Sequence, residues 1–305
     1  MGPSGRFVVA GESLVDVVVT ADGRRFEAPG GSPMNVAVGL ARLGVPTTLL
    51  TRLGDDEHGR LLRRHLEASD VDLPPATSAA RTSTSTAMLS AEGSASYGFE
   101  LSWDLPATSL PPDTAALHVG SLGTMLDPGR VAVQELIEEA VVRSALVSYD
   151  PNVRPMLLPE PGRAFDDMTR VAGRTDVVKL SDEDIRVVSP GAQERRVVEH
   201  LLCGERTRLV VVTKGAAGAS GYTAHAEAHV AAPVGTVVDT VGAGDSFMAA
   251  LLAVLSGRGS AEPPWHETEL RRLLRSAADA AAVTVSRRGA DPPARAELPP
   301  GWPGT

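Results

Sequence analysis

The chain has 305 residues, 43% of them hydrophobic and 22% charged, which is the balance of a globular protein with one large α/β domain or two smaller ones. A net charge of −9 excludes a general nucleic-acid or anionic-membrane surface, and the longest clean apolar run, FMAALLAVL, is too short to span a bilayer. The opening MGPSGRFVVA lacks the long apolar core of a secretory signal, and the single cysteine, Cys203, allows no internal disulfide, so a cytoplasmic enzyme is expected.

FVVAGESLVDVVV opens as strand, and the ADG of DVVVTADGRRFEAPGG is a turn between short extended pieces. SPMNVAVGLARLG reads as a helix with Ser32 at the N-cap, Pro33 in the first turn and Gly44 past its end. TTLLTRLG is a strand and DEHGRLLRRHLEAS an amphipathic helix. TSTSTAMLSAEGSASYGFELSWD alternates about AEGS as a hairpin, and LHVGSLG is a strand followed by a turn. Then helical PGRVAVQELIEEAVVRSA, RAFDDMTRVAG and AQERRVVEHLLCG alternate with the apolar strands LVSYD, DVVKLS and RLVVVTKG, and Cys203 is expected to pack on its helix face.

This alternation predicts a mostly parallel sheet covered by helices on both faces. The two hairpins break it, and they are expected to form a small β lid from about residues 15–30 and 82–104 over the ligand face of one domain, 1–305. The Pro/Gly-rich tail, residues 291–305, is expected to be flexible. Ligands of such sheets bind beyond the C-terminal strand ends. There Asp150 and Asn152 follow LVSY, Ser181 follows VVKL, and Thr213-Lys214-Gly215 follow RLVV. Only two lysines occur, Lys179 and Lys214, and both follow apolar strand-like runs. His58, His65, His200, His225, His229 and His266 show no metal-ligand spacing and read as surface residues.

The stretch VDTVGAGDSF sets Gly242-Ala243-Gly244 between Asp239 and Asp245, immediately before a helical apolar run. Small residues there expose backbone N–H groups at the positive end of a helix, a seat for an anion, and Asp245 stands beside it. No Gly-Lys pair exists for a Walker A loop, and Phe247 stands where the dinucleotide fingerprint needs glycine. The anion site must therefore be the GAGD turn.

DTVGAGDSF resembles the C-terminal signature of the ribokinase-like (PfkB) carbohydrate kinases. PGGSPMNVAVGLARLG resembles their N-terminal sugar segment, RLGDDEHGRLL the segment after it, and DPNVR the D-x-N-x-R stretch of fructokinases and 2-keto-3-deoxygluconate kinases. VVTKGAAGAS and TVSRRGADP resemble their nucleotide-side turn and final loop, and the matches run in family order from Gly11 to about Pro292. The resemblance implies a ribokinase-like α/β fold, ATP and Mg²⁺ as cofactors, and phosphorylation of a sugar hydroxyl. It makes Asp245 the acceptor of the hydroxyl proton, the N–H groups of Val241, Gly242, Ala243 and Gly244 the phosphoryl cradle, and Arg154 a second phosphate clamp. Asp16, Gly30, Gly31 and Asn35 fall on the sugar side, joined by Ser121. Asn152, Ser181, Thr213, Lys214, Gly215 and Gly289 fall on the nucleotide side.

Two departures from the family pattern matter. Its usual N-x-x-E, which helps organise Mg²⁺ through water, appears as Ser181-Asp182-Glu183-Asp184, so Glu183 and Asp184 compete for the metal-linked role. Ser32 stands where ribokinases carry lysine, which argues against ribose. The motifs lie nearest the fructokinase branch, and D-fructose phosphorylated to fructose 6-phosphate is the expected reaction. The alternative is a 2-keto-3-deoxygluconate kinase using Arg24, Arg25 or Arg81 for the substrate carboxylate. A ribokinase, a nucleoside kinase or a silent sugar-binding protein is less favoured. Some family members hold a monovalent cation near the position of Asp239. The expected partners are a small-molecule sugar and a second copy of the chain in a homodimer, with no nucleic acid and no membrane.

Overall fold

A computed structural model of the chain describes residues 5–90, 95–157, 161–256 and 266–303. In chain order the elements begin with β1 (Arg6–Ala10), β2 (Leu14–Val19), β3 (Arg25–Gly30), α1 (Ser32–Arg42), β4 (Thr47–Leu50), β5 (Leu53–Gly54), α2 (Glu57–Glu67) and β6 (Ser78–Ala79). Next come β7 (Ser83–Leu89), β8 (Ala95–Glu100), β9 (Thr114–Gly120), α3 (Gly129–Val142), β10 (Leu146–Asp150), α4 (Pro161–Ala172), β11 (Val177–Ser181) and α5 (Asp182–Val188). The chain ends with α6 (Glu194–Leu202), β12 (Leu209–Thr213), β13 (Ala219–Tyr222), β14 (Glu227–Val230), α7 (Ala243–Ser256) and α8 (Glu267–Val285).

The main sheet has eight strands in the order β14-β13-β12-β11-β10-β9-β1-β4. Six of them, from β12 to β4, run parallel, and β13 and β14 close one edge antiparallel. Strands buried on both faces carry near-continuous apolar runs, as RFVVA and LVVVT do. One face packs on α1, α7 and α8 through Phe7, Val9, Met34, Leu251 and Leu274. The other packs on α3, α4, α5 and α6 through Val8, Leu117, Leu136, Met168, Ile185 and Val198. Helix α7 is buried on every side from Asp245 to Leu252, wedged between the sheet, α1 and α8. No helix among the described residues is long and apolar enough to cross a membrane.

The FVVAGESLVDVVV run is two strands in two sheets. It breaks at Gly11-Glu12-Ser13, and β2 joins a second, four-stranded sheet in the order β3-β2-β7-β8. Val15 and Val17 turn inward to the core beside α2, so Leu14, Asp16 and Val18 occupy the opposite face. The expected AEGS turn of the second hairpin lies outside the described residues. Trp103 is not part of this sheet. It is buried in the second core, where its Nε1–H donates to the Gly123 carbonyl (3.0 Å).

Three other expectations are corrected. The tail is docked rather than flexible up to Pro303: Leu298 and Trp302 are buried, and the Trp302 indole donates to the Ser276 carbonyl on α8 (2.9 Å). Its two apolar side chains supply the burial that its Pro/Gly composition conceals. Residues 304–305 lie outside the described residues. Cys203 caps α6 and is exposed, one residue past the face that carries Val197, Val198 and Leu201. Ser32 is the first residue of α1, not its cap. The cap is Gly31, whose φ of 105° is open to glycine and strained for other residues.

Candidate active site

The first turns of α1 and α7 meet beyond the sheet's C-terminal edge, and Asp245 joins them. Its carboxylate, 8% exposed, accepts hydrogen bonds from the Ser32 hydroxyl (2.7 Å) and the Asn35 amide (2.8 Å). Asn35 Oδ1 is buried without a partner, an acceptor held ready for a hydroxyl donor.

The GAGD turn presents open donors, though not the whole expected set. The Val241 N–H donates to Asp239 Oδ1 (3.1 Å) and the Ala243 N–H to the Thr240 carbonyl (3.3 Å). Among the described residues, the N–H groups of Gly242, Gly244 and Asp245 have no backbone acceptor. These are the orphan donors that an anion at a helix N-terminus satisfies. Asp239 also accepts from the Gly289 N–H (2.8 Å), and these backbone donors hold its carboxyl below the usual aspartate value. Gly242, at φ 75°, lets the turn approach the same late loop, where a Cβ would come within 2.5 Å of Ala290 Cβ.

Of the expected sugar-side residues, Asn35 bonds Asp245 directly and Asp16 lies close enough to feel its charge. Asp16 is raised from its ordinary value by burial, against the Ser85 hydroxyl and the Arg154 charge, and Asp245 raises it further. Gly30 leaves its side-chain space to the Asp16 carboxylate. Ser121 is buried at φ 50° in a 3-10 turn at the end of β9, beside Glu12.

The DPNVR loop is tied to α5. The Asn152 N–H donates to Asp150 Oδ1 (3.1 Å) and the Val153 N–H to Asp184 Oδ1 (2.8 Å). Asp184 Oδ2 accepts from the Ser181 N–H and hydroxyl, both 2.7 Å, and Ser181 caps α5 in return. Asp184 thus faces the loop and is buried, whereas the Glu183 side chain is 82% exposed and lies 4.0 Å from Arg186. On the nucleotide side Thr213 ends β12 and Gly215 turns the chain at φ 51°. The Lys214 ammonium is held by Glu194 (2.8 Å) and Ser220 (3.0 Å), so the structure leaves only the backbone of Lys214 to the site.

Two buried charged groups were missed by motif reading. Lys179 on β11 pairs with Asp150 on β10 at 2.5 Å. Burial pushes Asp150 up to about 6 despite Lys179. Burial also works against the Lys179 ammonium, but Asp150, Asp184 and Asp245 outweigh it and hold it above the ordinary lysine value. Each partner favours the charged form of the other. Glu12 accepts from the Gly123 N–H (2.9 Å) and from Ser121, fastening the 3-10 turn to the end of β1. The available signals were the polar break in FVVAGESLV and the scarcity of lysine.

Burial pushes Glu12 from 4.5 up to about 7, against Ser121, Gly123 and Arg154. The native state holds this proton more tightly than the unfolded chain. The corresponding stability is complete below pH 4.5 and is lost as pH rises to about 7. The difference amounts to about 3 kcal/mol. In urea unfolding, Glu12→Gln should gain about that much relative to the unaltered protein between pH 4.5 and about 8. A pH-independent difference would show that Glu12 does not titrate in this window.

Comparison with known proteins agrees with this arrangement. The sequence model described as "pfkB family carbohydrate kinase" matches residues 6–297. A fructokinase of Rhizobium leguminosarum bv. trifolii is 36% identical over 258 residues, 80% of this chain and 78% of the relative. A fructokinase of Escherichia coli is 34% identical over 295 residues, 94% of this chain and 95% of the relative. Among solved structures, a fructokinase double mutant from Vibrio cholerae O395, in fructose, ADP and potassium ion bound form, superposes with a TM-score of 0.80 at 27% identity over 95% of each chain. The family match spans nearly the whole chain, which therefore belongs to the pfkB family of carbohydrate kinases and is a phosphotransferase.

Proposed function

We propose that this kinase transfers the γ-phosphoryl group of ATP to the terminal hydroxyl of D-fructose, giving fructose 6-phosphate. The observation that carries the reading is Asp245, which sits at the open N–H groups of α7 while hydrogen-bonded to Ser32 and Asn35 of the sugar segment. It stands between a phosphoryl seat and a polyol face. The fructokinases named above support the choice of sugar. So do the lid arginines that a keto-acid substrate would require. Arg24 pairs with Asp22 (2.7 Å), Arg25 with Glu27 (2.6 Å) and Arg81 with Glu100 (3.4 Å), which favours a neutral substrate.

In the proposed step the sugar hydroxyl oxygen bonds to the γ-phosphorus as the bond to the β,γ-bridging oxygen breaks. The bond pair leaves with ADP, and the hydroxyl proton passes to Asp245. The N–H groups of Gly242 and Gly244 receive the charge of the moving group, with Arg154 beside Asp16 and Glu12 as a second clamp. Asp16, Asn35 and Ser121 bind sugar hydroxyls, and Gly30 and Gly31 keep the lid root close. Asn152, Ser181, Thr213, Gly215 and Gly289 line the nucleotide side.

Mg²⁺ bound to the ATP phosphates would neutralise their charge and align the γ-phosphoryl group. In this reading the ion takes its ligands from phosphate and water. Either Asp184, which is buried against the DPNVR loop, or Glu183, whose side chain is exposed, would order that water. A monovalent cation beside Asp239 belongs to the same proposal, as the Vibrio relative has potassium ion bound.

The lid supports a homodimer. Val18, Phe26, Ala87 and Tyr97 lie opposite one another in register and share one face, with Phe26 and Tyr97 each 54% exposed. A second copy would cover them. Light scattering should give twice the chain mass, and Phe26→Glu should halve it. A monomer with the native sequence would refute the assembly. The net charge of −9 and the lone cysteine favour the cytoplasm, which cell fractionation checks.

Asp245→Asn should lower kcat by about 10²-fold or more while sugar and ATP still bind. Near-normal turnover would remove Asp245 from its role. At fixed ATP and Mg²⁺, kcat/KM for D-fructose should exceed that for 2-keto-3-deoxygluconate, ribose and adenosine, and excess chelator should stop turnover. Preference for any of the other three would replace the sugar while leaving the family assignment intact.

A further inference from the structure

A lysine buried in a kinase site is costly unless its charge has work beyond packing. Lys179 is 4% exposed, and its single hydrogen bond among the described residues goes to Asp150, so two of its three N–H donors have no protein acceptor. Its Nζ lies 3.1 Å from the point where a Cβ on Gly244 would stand, directly beneath the open donors at the start of α7. A buried ion pair alone does little for stability, since well-packed apolar residues of similar volume commonly serve as well or better. The N-terminus of α7 is itself a positive pole. A further cation there, balanced in the free protein by Asp150, Asp184 and Asp245, is a good neighbour for an incoming anion.

We propose that Lys179 is a further catalytic residue: anchored by Asp150, its ammonium donates to an oxygen of the transferring phosphoryl group, and residue 244 is glycine to leave it room. The assignment rests on the kinase reading of the GAGD turn but not on the identity of the sugar. Asp150 fixes the ammonium from one side, so that ordering it at the moment of reaction costs little. Lys214, the chain's other lysine, is engaged with Glu194 and Ser220. Arg154 is exposed at the sugar side. Lys179 is therefore the cation lodged under the turn.

Lys179→Met should lower kcat by about 10²-fold or more, with a much smaller change in the KM for the sugar. The decisive variant is the double substitution Lys179→Met with Asp150→Asn, which removes both charges and keeps volume. Its melting temperature should return close to that of the unaltered protein while kcat stays depressed by about the same factor. Recovery of kcat to within about threefold would show that the pair merely neutralises itself, and would overturn the proposal. A measurement on the unaltered protein covers the case in which neither variant folds. With carbon-13 at lysine Cε the chain gives two lysine signals, of which Lys179 supplies the buried one. Adding ADP, Mg²⁺ and aluminium fluoride should displace the Lys179 signal, and a signal that stays in place refutes the contact. Turnover of the unaltered enzyme in the same sugar assay reports separately on the kinase reading.

Discussion

The site depends on one buried carboxylate that must be satisfied from two distant parts of the chain. Asp245 lies in the first turn of α7, where the helix dipole favours negative charge, yet burying it requires hydrogen-bond donors. Both observed donors, Ser32 and Asn35, come from α1, more than 200 positions earlier. The two helices must then lie at a fixed offset and close together. Gly39 permits this, since a Cβ there would come within 2.6 Å of Ala249 Cβ. The position of α1 in turn fixes Gly30 and Gly31, and with them the root of the second sheet. One polar contact thereby ties the second sheet, α1 and the start of α7 into a single geometry.

The same device recurs around the sheet's C-terminal edge. Asp239 holds the late loop through the Gly289 N–H, Asp150 turns the DPNVR loop through Asn152, and Asp184 holds it through Val153. In each case a carboxylate accepts backbone N–H groups of a loop that has no sheet partner, which orders it without lengthening a strand. A site assembled from loops gains the rigidity of the sheet beneath it. At the opposite end of the sheet Asp176 plays a purely structural version, accepting from the Val147 N–H and from Arg206, each at 2.8 Å.

Most of the architecture was legible in the sequence because the parallel strands are uniformly apolar and the helices amphipathic, as LVSYD and RAFDDMTRVAG show. The GAGD turn was legible because its residue types have narrow physical uses, and DPNVR because it resembles a family motif. What escaped reading was set by contacts remote in sequence. Ser32 has every local property of an N-cap, but its hydroxyl goes to Asp245. Trp302 sits in a Pro/Gly tail that composition marks as loose, and a groove beside α8 overrides it. Lys214 follows the strand expected to deliver it to nucleotide, yet Glu194 on α6 draws it away. Lys179 follows a similar run and is the one the fold brings to the turn.

Charge around the turn also constrains how the nucleotide enters. Glu12, Asp16, Asp150, Asp184 and Asp245 are buried or half-buried there, facing Lys179 and Arg154 as cations. Burial raises Glu12, Asp16 and Asp150 from their ordinary values. A bare polyphosphate would meet repulsion from carboxylates that the protein needs for other work. One would bind sugar, one would take the proton, and one holds the loop. A nucleotide carrying its own divalent cation would meet the same carboxylates as attraction. In the proposed reaction the cation that balances the acidity of the cleft would arrive with the nucleotide.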